Sequence, residues 1–127
     1  MIDLNEISHA VQIIENNILT PVIYMNETDY GIEFICFCCY DITDEELFEL
    51  GERLTQFLNI PVEVVDIMEY NINDRMDIVS NAELVYSEDP LTEQMLTMSV
   101  AEEHKQEREK MKSMLRRKSE SGSYYLQ

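Results

Sequence analysis

Ile32 to Tyr40, IEFICFCCY, constrains this chain more than any other stretch. After Glu33 it is apolar at every position, and a strand points successive side chains to opposite faces, so both faces need cover. The run predicts an interior strand of a sheet with helices packed on each side. The surrounding sequence supplies those helices. Leu4, Ile7, Val11, Ile14 and Ile18 trace one helical face behind an Asp3–Glu6 capping box, predicting a helix over about residues 4–17. Thr20-Pro21 ends it, Val22 to Met25 reads as a strand, and residues 26–31 are rich in turn formers.

Past the central run, Thr43-Asp44-Glu45-Glu46 is a second capping box, and Leu47, Leu50, Leu54, Phe57 and Leu58 form the core face of the helix it starts. Asn59-Ile60-Pro61 stops that helix, and Val62 to Met68 reads as a strand rich in β-branched residues. A short helix over about residues 74–81 presents Met76 and Val79, and Leu84-Val85-Tyr86 is a brief strand. Asp89-Pro90 then opens a last helix expected to reach Arg117, the acid as cap and the proline in its first turn. Leu91, Met95, Leu96 and Met98 are its expected core contacts. Residues 102–110 are uninterruptedly polar, and Met111, Met114 and Leu115 form a second apolar patch on a segment expected to project. The expected fold is α+β: a mixed β-sheet of about four strands flanked by helices, with a long C-terminal helix. One domain covers residues 1–118, and residues 119–127 read as a disordered tail.

Charge divides the chain unequally. Residues 1–104 hold 23 acids against Arg53 and Arg75, a balance of −21, while residues 105–127 carry +4. A body this acidic repels phosphate backbones, so direct nucleic-acid binding by it is not expected. The basic segment with its methionines is the expected partner-binding surface, carried by Lys105, Arg108, Met111, Lys112, Met114, Leu115 and Arg116; flexible methionines inside a charged rim are common at protein interfaces. No apolar stretch approaches the ~20 residues of a membrane span, and MIDLNEIS lacks the basic-then-apolar order of a signal peptide. Cys36, Cys38 and Cys39 are odd in number, crowded and without metal-ligand spacing, so they read as small buried hydrophobes in a reducing, cytoplasmic setting.

Glu63 and Asp66 interrupt an apolar strand, and acids so placed belong to a site or to the remains of one. Val62-Glu63-Val64-Val65-Asp66-Ile67 resembles the Val-Asp-Leu-Val-Asp-Leu strand of the minimal nucleotidyltransferases, of the DNA polymerase beta-like superfamily. Val85-Tyr86-Ser87-Glu88-Asp89-Pro90 is similar to their closing Leu-Tyr-x-x-Asp-Pro motif. The resemblance implies a Gly-Ser turn gripping a triphosphate, and three carboxylates, two of them Asp-x-Asp, holding two Mg²⁺ ions. This chain departs from that pattern. Between Thr20 and Asp41 there is no serine, the only glycine is Gly31, and Met25-Asn26-Glu27 stands where the grip belongs. The Asp-x-Asp pair falls on Gly31 and Glu33, and the third acid on Glu63. The connection between the first two strands, about six residues, leaves little room for the usual helix.

The resemblance also implies a partner, a HEPN-domain ribonuclease toxin restrained by the transferase as its antitoxin. The expectation is therefore a catalytically degenerate nucleotidyltransferase-fold protein acting through protein–protein contact. Glu33 and Glu63 are its vestigial acids, at the sheet's rim in water, and it needs no cofactor. Two alternatives stand beside it: a Mg²⁺-dependent nucleotidyltransferase using Glu33 and Glu63, and an acidic nucleic-acid mimic inhibiting a DNA- or RNA-binding protein. The sequence leaves homo-oligomerisation open.

Overall fold

The computed structural model describes residues 2–121, with side chains to residue 117. The elements are α1 (Leu4–Asn17), β1 (Val22–Glu27), β2 (Ile32–Cys36), α2 (Asp44–Leu58), β3 (Val62–Asp66), a 3-10 turn (Ile67–Glu69), α3 (Ile72–Asn81), β4 (Glu83–Ser87) and α4 (Pro90–Ser121). They build an α+β fold around one mixed sheet in the order β3-β2-β1-β4. β1 runs antiparallel to β2 and to β4, and β2 runs parallel to β3 through the α2 crossover.

Alternation along the strands sorts the core into two layers. Ile23, Phe34 and Val64 pack with Ile14 of α1 and Leu54 of α2 on one face. Val22, Tyr24 and Ile35 pack with Ile67 and Ile78 on the other, and Leu96 of α4 closes over them. β2 is interior and its apolar residues are covered from both sides, as the sequence demands.

The interior strand is shorter than expected. It ends at Cys36, where β3 also ends, so no partner strand continues beside residues 37–40. The chain leaves the ladder with the Phe37 and Cys39 amides donating to the carbonyls of Val22 and Leu19, both at 3.1 Å. Cys36 is therefore buried, Cys38 half-buried and Cys39 exposed, so only the first behaves as a core residue. β3 also stops early, because the Asp66 side chain accepts from the Met68 amide at 3.1 Å and turns Ile67–Glu69 into a 3-10 turn.

The capping box on α1 forms, with Asp3 and Glu6 exchanging both bonds. At α2, Thr43 accepts from the Glu46 amide, but the Glu46 carboxylate accepts from the Thr43 hydroxyl rather than from its backbone. Phe57 does not join the core; it lies exposed, edge-on to His9 at a ring separation of 6.0 Å. α3 starts two residues early, at an Asn71 cap, and buries Ile78 between the half-buried Met76 and Val79.

α4 differs most from expectation. Leu91, Met95 and Met98 are 65, 63 and 62% exposed, and the face that meets the body carries Leu96 and Val100 instead. The helix continues past Arg117 to Ser121, into the expected tail, whose remainder lies outside the described residues. From Lys105 to Arg117 every side chain is exposed.

Candidate functional site

The α2–β3 junction sets the site. The Thr55 hydroxyl donates to the Gly51 carbonyl at 2.8 Å and accepts from the Val62 amide at 2.9 Å, clamping the start of β3 onto α2. Pro61 is thereby pressed against β2, and its carbonyl accepts from the Ile32 amide at 2.9 Å. Gly31 sits beneath it, and a Cβ there would collide with the Pro61 carbonyl oxygen. No side chain fits at the position to which the resemblance assigns the first carboxylate of the Asp-x-Asp pair.

The phosphate grip meets a related obstacle. The β1–β2 connection is a hairpin of four residues, Thr28 to Gly31, shorter than the sequence suggested. Thr28 and Gly31 exchange backbone bonds of 2.7 and 3.3 Å across it. Met25, Asn26 and Glu27 pair with Phe34, Glu33 and Ile32, so the segment in the grip's place is regular sheet.

Glu33 and Glu63 do come together, as directly opposed residues of the parallel β2–β3 ladder. They are not equivalent. Glu63 is exposed, whereas Glu33 is half-buried and accepts a 2.9 Å hydrogen bond from the Tyr70 hydroxyl, so the expectation of two solvated rim acids holds for Glu63 alone. Burial, the bond to Glu33 and the charges of Glu33 and Glu63 push the Tyr70 phenol pKa well up, so it stays protonated and remains the donor.

Both acids line a cleft of about 730 Å³ that wraps the edge strand β3, together with four further carboxylate residues (Asp44, Glu52, Asp66 and Glu69) and no lysine or arginine. Exposed Tyr30 and Phe48 supply its apolar wall. Among the described residues, no three His, Cys, Asp or Glu side chains converge closely enough to hold a metal ion. Mg²⁺ requires near-octahedral oxygen geometry. Gly31 offers no carboxylate and Tyr70 occupies one Glu33 oxygen, so these residues do not fit a two-metal centre.

Sequence reasoning missed the residues that tie this cleft to α4. The Tyr70 carbonyl accepts from Arg75 Nε at 2.9 Å, and the Arg75 guanidinium pairs with Glu103 of α4 at 3.1 Å. That is the one ion pair among the described residues. The usable signal was scarcity, since Arg75 is one of only two basic residues in the first 104. Lys105, Arg108, Met111, Lys112, Met114, Leu115 and Arg116 all lie exposed on α4 just beyond Glu103.

One chain of the crystal structure of the MntA-HepT toxin–antitoxin is similar to this chain, with a TM-score of 0.74 at 12% identity over 89% of this chain and 96% of that one. The likeness is one of fold, a nucleotidyltransferase-like sheet with flanking helices. A chain in the complex of tri-AMPylated Shewanella oneidensis HEPN toxin with MNT antitoxin aligns with the same TM-score, 0.74, at 12% identity over 87% of this chain and 93% of its own. A chain of a toxin–antitoxin structure with AMP-PNP gives 0.73 at 12% identity, covering 90% and 96%. Neither a protein-family model nor a curated protein sequence matches the chain. The four-stranded sheet, its flanking helices and the long final helix thus belong to a known architecture, with Glu33 on β2, Glu63 on β3 and Gly31 just before β2.

Proposed function

We propose that this protein restrains a HEPN-type ribonuclease by binding it, as an antitoxin that occludes without transferring nucleotide. The observation that carries the reading is the closure of Pro61 over Gly31: the carboxylate position is filled by backbone, not merely mutated. The missing phosphate grip and the Tyr70–Glu33 bond point the same way. What remains in the MNT fold is a binding body, and the solved complexes of similar chains pair an MNT antitoxin with a HEPN toxin. The exposed segment from Lys105 to Arg116 is the contact surface in this reading, and no cofactor is required.

The test is a ribonuclease assay on a purified HEPN partner with the chain present, with and without ATP and Mg²⁺. Inhibition should be equal in both arms, the toxin should gain no AMP by intact-mass measurement, and calorimetry should detect no ATP binding. A Glu33→Ala/Glu63→Ala variant should inhibit like the parent. ATP-dependent inhibition lost in that variant would instead establish metal-assisted transfer. Capture of basic nucleic-acid-binding proteins in place of a HEPN protein would establish the mimic.

A further inference from the structure

α4 seats itself on the body through Leu96 and Val100, and apolar residues return to the same helical face further along. Met111 lies eleven residues, about three turns, beyond Val100, and Met114 and Leu115 follow at helical spacing. That face is polar over residues 102–110 and turns apolar again on an overhang of roughly 25 Å, taking ~1.5 Å per residue from Lys105 to Ser121. Met111, Met114 and Leu115 are 54, 42 and 46% exposed on it, beside a basic face carrying Arg108, Lys112 and Arg116.

The surface complementary to that overhang is on the chain itself. The β3 cleft has six carboxylate residues and no cation, with exposed Tyr30 and Phe48 to receive methionine side chains. A continuous α4 carries its tip away from its own body, so one chain's tip does not fill its own cleft. The two surfaces nevertheless share one end of the molecule. Glu33 in the cleft bonds Tyr70, Tyr70 bonds Arg75, and Arg75 pairs with Glu103 at the overhang's base. Donor and acceptor side by side satisfy the requirement for a closed two-fold pair, in which each surface meets its complement once.

We infer that two copies of this chain form a reciprocal dimer, each α4 overhang lying in the other's acidic cleft. Charge decides against the simplest alternative, a pairing of tip with tip, because both tips are basic. Charge also permits the reciprocal arrangement: repulsion between the two acidic bodies is screened beyond about 8 Å in physiological salt, whereas tip–cleft contacts are shorter than that. The inference does not rest on the HEPN reading, since the chain alone holds both surfaces.

Sedimentation velocity on the isolated full-length protein tests it, with a charge-swap cycle. Lys112→Glu/Arg116→Glu and Glu63→Lys/Glu69→Lys are both expected to weaken the dimer by at least about tenfold, and the four changes together to restore most of that loss. The cleft variant discriminates sharply because it lowers the net negative charge. General repulsion alone predicts that it dimerises more tightly than the parent. All four positions are exposed, and circular dichroism verifies the fold. A chain ending at Arg108 should be monomeric in an independent check. A parent that is monomeric at about 0.2 mM, where a dimer with Kd of about 0.2 mM would leave roughly half the protein paired, would overturn the inference. So would a cleft variant that tightens the dimer, or a quadruple variant without rescue.

Discussion

Replacing Gly31 with alanine should cost far more than a surface glycine ordinarily does. The added Cβ would collide with the Pro61 carbonyl oxygen and approach the Pro61 carbonyl carbon and Cβ to 3.0 Å. These are backbone and ring atoms, so no flexible side chain can swing away. Relief requires the start of β3 to retreat, which breaks the 2.9 Å Ile32–Pro61 bond and pulls against the Thr55 clamp. One lost hydrogen bond is worth ~1 kcal/mol and overpacking typically ~1–3, giving about 2–4 kcal/mol in all. Against a typical total of ~5–15 kcal/mol that is a large fraction, and it lowers Tm by roughly 6–20 °C for a chain of this size. Thermal and urea unfolding of the parent, Gly31→Ala and Gly31→Asp measure it. The two variants should lose nearly the same amount, because the offending atom is common to both. Gly51→Ala is the control. Its Cβ would meet the Val62 carbonyl oxygen at 3.1 Å, a gap that a shift of tenths of an ångström opens, and alanine gains ~1 kcal/mol of helix propensity. It should stay within ~1 kcal/mol of the parent. If Gly31→Ala melts with the parent, Pro61 yields readily and the argument that the carboxylate position is closed fails.

Three further outcomes are expected. Cys39 should react with a maleimide at neutral pH well ahead of the other thiols, as peptide mapping by mass would reveal; burial pushes Cys36 well up, and burial with the charges of Asp66 and Cys39 pushes Cys38 up to about 12. Glu15→Gln should stabilise the fold at pH 7, with the gain vanishing on acidification. Burial raises the Glu15 pKa, with Glu88 adding to it and Tyr86 opposing, and one carboxylate oxygen has no hydrogen-bond partner. A folded pKa above the unfolded one makes the glutamate's contribution most favourable below the unfolded value and loses it as pH rises through the folded one, so a difference that grew toward acid pH would contradict it. Ending the chain at Arg108 should leave Tm within about 2 °C of a parent measured dilute enough to be monomeric, because Val100 is the last buried residue among those described; a larger drop would show that the overhang supports the body of its own chain.

The apolar periodicities carried most of the architecture, because burial is what they encode. The boundaries of α1, the interior place of β2 and the cap at Asp89 were legible, the last through the 2.8 Å bond from the Thr92 amide to Asp89. IEFICFCCY was over-read because composition does not say where neighbouring strands run out, and β2 can be no longer than the pairing it finds. α4 misled for a similar reason. Leu91, Met95 and Met98 form as regular a stripe as Leu96 and Val100, and only the packing against α3 and β4 decides which faces inward. At the site, the loss of the Asp-x-Asp pattern was visible at Gly31, but its cause was not. A collision between Gly31 and Pro61, thirty positions apart, has no trace in local sequence. The Tyr70–Glu33 and Arg75–Glu103 links were hidden by the same separation.

A rod held near its middle is also a lever. Beyond the Arg75–Glu103 pair, α4 has no further buried side chain among the described residues, so the direction of its outer half is set at the anchored end. With an arm of about 25 Å, a tilt of only ~5° there moves the far end by about 2 Å, most of the width of a hydrogen bond. Arg75 is held in turn by the Tyr70 carbonyl, whose backbone is fixed by the bond from the Tyr70 amide to the Ile67 carbonyl. Any change in how Arg75 and Glu103 meet is therefore magnified along α4, and the displacement grows with distance from the anchor.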